Sequence, residues 1–242
     1  MKKNLGILAL LIVVFVATAL ASENFLSPYN LENLVLRSSL YGIISIGVAL
    51  VIISGGIDLS VGSVIGLIGC LLPWLMSENG WPTWLALPAV LVLSLAIGVV
   101  HGLLITKLGL QPFIVTLCGL LIYRGIARWL TGDATLGFGR DHETLRTLAT
   151  GRIPLPGLGG FHLPVPLLIL LGLGIAAAVL LNQTTYGRYL MALGNNEQAA
   201  RYSGINTSRI IIAAYAICSL VAGCGGVLFA LDVNSIQPAG FG

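Results

Sequence analysis

Few side chains in this sequence could do chemistry, and they lie far apart. Asp58 stands in "SGGIDLSVGS", residues 54–63, between two long apolar stretches. A carboxylate among serines and glycines can bind a cation or a proton, cap a helix, or accept from the hydroxyls of a solute. Arg124 and Arg128 fall at i, i+4 and so share one helix face. His101, His142 and His162 are scattered, with no H-E-x-x-H pattern. Cys70, Cys118, Cys218 and Cys224 all sit inside apolar runs, at spacings that fit neither a metal site nor a disulfide framework. There is no G-x-S-x-G nucleophile elbow and no G-x-x-x-x-G-K-[ST] phosphate loop. No catalytic set can be assembled, and no cofactor or metal is expected.

The elements that position these residues follow from composition. Charged residues make up 9% of the chain and hydrophobic ones 57%, with mean hydropathy +0.97. A soluble domain carries about 25% charged residues. The chain is therefore an integral membrane protein, surrounded by lipid. Its net charge of +3 is spread thinly and forms no basic patch, so nucleic acid is not a partner.

Crossing the hydrocarbon takes about 20 apolar residues as helix. About seven runs approach that length: residues 5–21, 34–53, 61–76, 85–105, 113–130, 166–181 and 210–231. Helix is the only choice, since the alternation of a membrane β-barrel is absent. The predicted fold is all-α, a polytopic transmembrane bundle in one domain. Residues 2–21 fit both a first span and a leader ending "ATALAS", and residue 22 lies outside on either reading. With the N-terminus in the cytoplasm, the Asp58 turn and residues 106–111 and 182–209 lie inside. Residues 22–32, 77–84 and 131–165 lie outside. Within the outer segment, "DHETLRTLAT" suits a short helix capped by Asp141.

A charge near the bilayer centre costs about 2.5–3.5 kcal/mol, so Asp58 must face protein or a wet cavity. Gly55 and Gly56 let the chain leave helix geometry just before it. Asp58 or Ser60 can then satisfy the first free N–H groups of the third span. This reads as a broken-helix turn after the second span, which is tolerated where it lines a pathway. Capping and lining are compatible; direct contact with a solute is a further reading. Gly62, Gly66 and Cys70 continue as a small-residue stripe for close packing. His101 reads as a packed histidine. Arg124 and Arg128 read either as snorkelling cations or as an outer gate.

The inner segment contains "GNNEQAARYSGIN". Asn195 or Asn196 can cap a short helix over Glu197–Tyr202, Gly204 suits its C-terminal stop, and Thr207 or Ser208 can cap the next span. A short helix fixed between two spans is either a connector or a handle for a soluble partner.

"GGIDLSVGS", "YGRYLMALGNNEQAARYSGIN" and "SIQPAGFG" together resemble the permease subunits of bacterial ABC importers of ribose and related monosaccharides. "NFLSPYNLENLVLRSS" and "QPFIVTLCGLLIYRGIARWLTG" fit the same family in order and spacing, so the resemblance covers nearly the whole chain. It implies a cytosolic ABC ATPase docking on the loop that carries Asn195, Asn196, Glu197, Ala199, Ala200, Ser203 and Gly204. It also implies a periplasmic sugar-binding protein, a second permease chain (identical or a sister), and a place in the bacterial inner membrane. The pathway turn would be Gly55, Gly56, Asp58, Ser60 and Gly62. Members of this family continue with further spans and a second glycine-rich turn. The expectation is thus a fragment or truncated product, with small-residue faces at Gly62/Gly66 and Gly98/Gly102 short of partners. Two alternatives remain open: an ABC permease for a solute such as a branched-chain amino acid, and an ion-coupled secondary transporter using Asp58.

Overall fold

The structure is a computed structural model; it describes residues 2–139, 142–154 and 160–238. Helix α1 covers Lys2–Ala21, α2 Pro28–Ile53 and α3 Val61–Pro73, which a π-helical turn, Trp74–Glu78, carries on. Then come α4 (Thr83–Lys107), α5 (Pro112–Thr131) and α6 (Glu143–Thr150). Strands β1 (Arg152–Pro154) and β2 (His162–Pro164) precede α7 (Val165–Gln183), α8 (Thr185–Asn195), α9 (Glu197–Tyr202) and α10 (Thr207–Val233). Six helices among the described residues are long and apolar enough to cross a membrane, and α1 adds the shorter apolar stretch Leu5–Ala21. The polytopic helical bundle read from the sequence is the fold.

Helix starts follow local chemistry. Ser27 caps α2 by accepting from the Asn30 N–H at 3.3 Å, and Pro28 opens the first turn. Prolines also open α5 and α7. The core forms where α10 packs against α4, α2 and α3. Leu40, Ile43, Ile68, Leu72 and Leu231 are buried there. In contrast, α7 rests on α2 and leaves most of its apolar surface uncovered.

Four details differ from the sequence reading. Gly98 and Gly102 are not short of partners: a Cβ at Gly98 would collide with the Tyr215 carbonyl oxygen, and one at Gly102 would lie 2.5 Å from Ile212 Cα. These glycines are what lets α4 approach α10. Beside the helices of this all-α bundle, the outer segment holds a small antiparallel pairing that the sequence did not announce, β1 with β2, in register Arg152↔Pro164 and Pro154↔His162. Residues 185–195, for which the sequence suggested no element, form α8, capped by the Thr184 hydroxyl accepting from the Gly187 N–H at 3.2 Å. The start of α10 is capped by Asn206, whose Oδ1 accepts from the Arg209 N–H at 3.1 Å, and not by Thr207 or Ser208. The expected Asp141 cap of α6 lies outside the described residues.

The bundle has two ends. One carries the Asp58 turn, the α4–α5 connection, α8 and α9. The other carries residues 132–139, α6 and the hairpin. That second end is ordered by long-range bonds: Leu136 pairs with Ile236 through the backbone, and the Phe138 N–H donates to Asn234 Oδ1 at 2.8 Å.

Candidate functional site

The break between α2 and α3 is built as the glycines suggest. Gly55 has φ +81°, a left-handed conformation that stops α2, and the Gly56 N–H returns to the Val51 carbonyl at 3.0 Å. The chain then extends to Asp58. Asp58 Oδ1 accepts from the Ser60 N–H at 2.8 Å and from the Ser60 hydroxyl at 2.6 Å. Asp58 therefore closes an Asx turn one residue before the helix, and does not reach the N–H groups of α3 itself. Ser60 is the residue before α3, yet its hydroxyl goes to Asp58 and makes no cap. The Ser60 carbonyl accepts from the Val64 N–H at 2.9 Å and the Ser63 hydroxyl at 2.7 Å. Gly62 is half-buried in the first turn of α3.

The second oxygen, Asp58 Oδ2, is buried without a hydrogen-bond partner among the described residues. His101, Tyr123, Tyr215 and Cys218 all lie within electrostatic reach of this carboxylate. His101, on α4, is buried; its Nε2 meets the Tyr123 hydroxyl of α5 at 2.8 Å, and its Nδ1 is unpartnered among the described residues. Tyr215, on α10, is 1% exposed, and its hydroxyl donates to the Ile57 carbonyl at 3.0 Å. Side chains of three helices, α4, α5 and α10, thus converge on the turn between α2 and α3.

A cavity of about 310 Å³ opens beside it. Gly55, Gly56, Thr106, Tyr215 and, from α9, Glu197 and Arg201 line it. The turn residues and the first residue of the expected ATPase-docking helix therefore share one cavity. The sequence reading placed both at the same end of the bundle but gave no reason for them to meet.

Helix α9 is held as a fixed projection. Of the two candidate caps, Asn196 serves: its Oδ1 accepts from the Ala199 N–H at 3.0 Å, while Asn195 ends α8. Gly204 has φ +83° and terminates the helix, and the Ser203 hydroxyl donates back to the Ala199 carbonyl at 2.9 Å. Ala200 is buried against the bundle, whereas Glu197, Gln198, Ala199, Arg201 and Tyr202 are exposed. Below it, α8 lies close to α2, since a Cβ at Gly194 would overlap the Ile53 carbonyl oxygen.

Arg124 and Arg128 sit at the opposite end, apart from this cavity. Arg128 forms a two-pronged ion pair with Asp133, at 2.7 and 3.0 Å. Its hydrogen bonds and charge hold the Asp133 carboxyl below the ordinary carboxylate range. Arg124 is half-buried, one turn earlier on α5.

Two features escaped the sequence. Tyr215 was hidden in an apolar span; its one signal is a hydroxyl-bearing side chain amid Ala214, Ala216 and Cys218. Glu32, 3% exposed, pins the hairpin to α2: it accepts from the Arg152 guanidinium, from the His162 N–H at 2.7 Å and faces His162 Nδ1 at 2.9 Å. Arg152 also donates to Asn33 at 3.0 Å and lies 5.8 Å from the centroid of the Tyr29 ring.

Comparison with known proteins gives this geometry a family. A family model described as the permease component of the branched-chain amino acid transport system matches residues 30–242. The chain is 36% identical to the ribose import permease protein RbsC of Escherichia coli (strain K12), over 96% of this chain and 70% of that protein. The RbsC of Bacillus subtilis (strain 168) is 32% identical over 98% of this chain and 71% of its own length. The fructose import permease protein FruF of Bifidobacterium longum is 35% identical over 96% of this chain and 66% of its own length. No solved structure matches the chain. A six-span bundle broken by a glycine turn, matched by this model over residues 30–242, belongs to the family of permease components of branched-chain amino acid-type transport systems.

Proposed function

We propose that this chain is the membrane-spanning subunit of an ATP-driven importer that carries a ribose-like monosaccharide across a bacterial inner membrane. The observation that carries the reading is the likeness to ribose and fructose import permeases along 96% of the chain. The geometry supports the same reading. A projecting helix, α9, shares a cavity with the glycine-rich break between α2 and α3 that carries Asp58. In this reading α9 is where a cytosolic ABC ATPase docks, so the Asp58 end faces the cytoplasm and the N-terminus lies inside. The hairpin end then receives a periplasmic sugar-binding protein, near Arg124 and Arg128. A second permease chain, identical or related, completes the pathway. A neutral sugar asks for hydroxyl and carbonyl partners, not for a strong charge, and tight binding would slow release.

The branched-chain amino acid transport named by the family model supports a second substrate class. The test is uptake into vesicles that hold the permease with its ATPase and a loaded binding protein. Labelled ribose, arabinose, fructose and leucine are offered in turn. Accumulation of a monosaccharide that requires internal ATP and survives collapse of ion gradients is the expected result. Leucine accumulation would favour the amino acid reading, and uptake driven by an ion gradient without ATP would contradict the ABC mechanism.

A further inference from the structure

Resting on the permease reading above, we propose that Tyr215 is the positioning residue that links movement of α9 to the Asp58 turn. The observations form a continuous chain of contacts. Helix α9 ends at Tyr202, the chain turns at Gly204, and α10 begins at Thr207. The Ile205 N–H donates to the Ala200 carbonyl at 3.1 Å, so α9 and the start of α10 are tied together. Tyr215 lies eight residues into α10, about 12 Å along its axis. Buried between α2 and α4, it cannot leave its place without disturbing both: its ring lies with Val51, and its backbone carbonyl lies against Gly98.

Its hydroxyl does something packing alone does not require. It donates to the Ile57 carbonyl, at 3.0 Å, inside the turn between α2 and α3 where the backbone has left helix geometry. The same hydroxyl is pressed against Gly56, where a Cβ would lie only 2.6 Å from it. Tyr215 also lines the same cavity as Glu197 and Arg201 of α9. A push on α9 therefore reaches α10, passes through one phenol, and is applied to the residue next to Asp58. Because packed interfaces hold discrete arrangements, such a contact can select between two positions of the turn.

Tyr215→Phe removes the hydroxyl and keeps the ring. Gly56→Ala attacks the same bond from the other side: Gly56 does not have a left-handed φ, so alanine is allowed, but its methyl must displace the hydroxyl. Both variants and the double variant are assembled with the ATPase and loaded binding protein. Complex recovery, ATP hydrolysis and sugar uptake are measured together. The expected result is hydrolysis close to wild type, with sugar moved per ATP reduced about 5-fold or more. The double variant should be no worse than Tyr215→Phe alone, because the clash disappears with the hydroxyl. Two results overturn the proposal: an unchanged ratio in both single variants, or uptake and hydrolysis falling in step. A wild-type complex that neither hydrolyses ATP nor takes up solute overturns the permease reading, and this inference with it.

Discussion

At the scale of single residues, Asp58 acts through shape as much as charge. Its Oδ1 holds the N–H and hydroxyl of Ser60, which fixes the direction in which the chain enters α3. An asparagine oxygen can accept the same two bonds. Asp58→Asn is therefore expected to keep membrane abundance and most uptake. Asp58→Leu leaves both donors of Ser60 unpaired in a dry site, at about 1–3 kcal/mol for each group. Its uptake and abundance should both fall. Equal loss of uptake in both variants at normal abundance would show that the charge itself is needed. The flanking glycines made this turn legible in the sequence. What could not be read was which N–H Asp58 takes, since that depends on where α3 begins. Glu32 was illegible for a different reason: its partners Arg152 and His162 are 120 and 130 residues away. Replacing it with alanine strands a guanidinium and an imidazole. Glu32→Ala should loosen the hairpin, seen as faster proteolysis at residues 152–164, while Glu32→Gln should retain part of the protection. Unchanged proteolysis in Glu32→Ala would show that the hairpin is held by its other contacts.

At the scale of elements, the caps explain which helices could be foreseen. The α9 helix was legible because Asn196 precedes it and Gly204 follows it, and the structure uses both. Helix α8 was not, because Gly187 and Gly194 weaken the helical signal. Both are close-approach glycines: a Cβ on either would overlap a carbonyl oxygen, of Leu181 or of Ile53. That reason is tertiary and leaves no mark in local sequence. Burial divides the two alanines of α9. Ala200 is buried, so a large residue there would unseat the helix, whereas Ala199 is exposed and can be changed without touching the bundle. Ala199→Arg is therefore expected to leave abundance and thermal stability unchanged while weakening ATPase association by about 10-fold or more. Co-purification of the ATPase at the wild-type level would remove α9 from the interface.

At the scale of the whole molecule, composition and run lengths were enough for the bundle, because lipid permits little else. They could not say which helix is central. That is α10, which packs on α4, α2 and α3 and whose two ends meet the two proposed functional regions. Near its start it lines the cavity under α9 through Ser208, Ile211 and Tyr215. Near its end the Leu231 carbonyl accepts from Arg146 of α6 at 3.2 Å. A single buried helix thus spans from the proposed ATPase side to the proposed receptor side. In the proposed arrangement these two sides are distinct, and α9 marks the first. Site-specific cross-linking tests it most directly, with Ala199→Cys and Glu143→Cys introduced separately into a permease whose native cysteines have been replaced, assembled with both partners. Position 199 is expected to cross-link to the ATPase subunit, and position 143 is not. Cross-linking of the ATPase to position 143, with none at position 199, would contradict it.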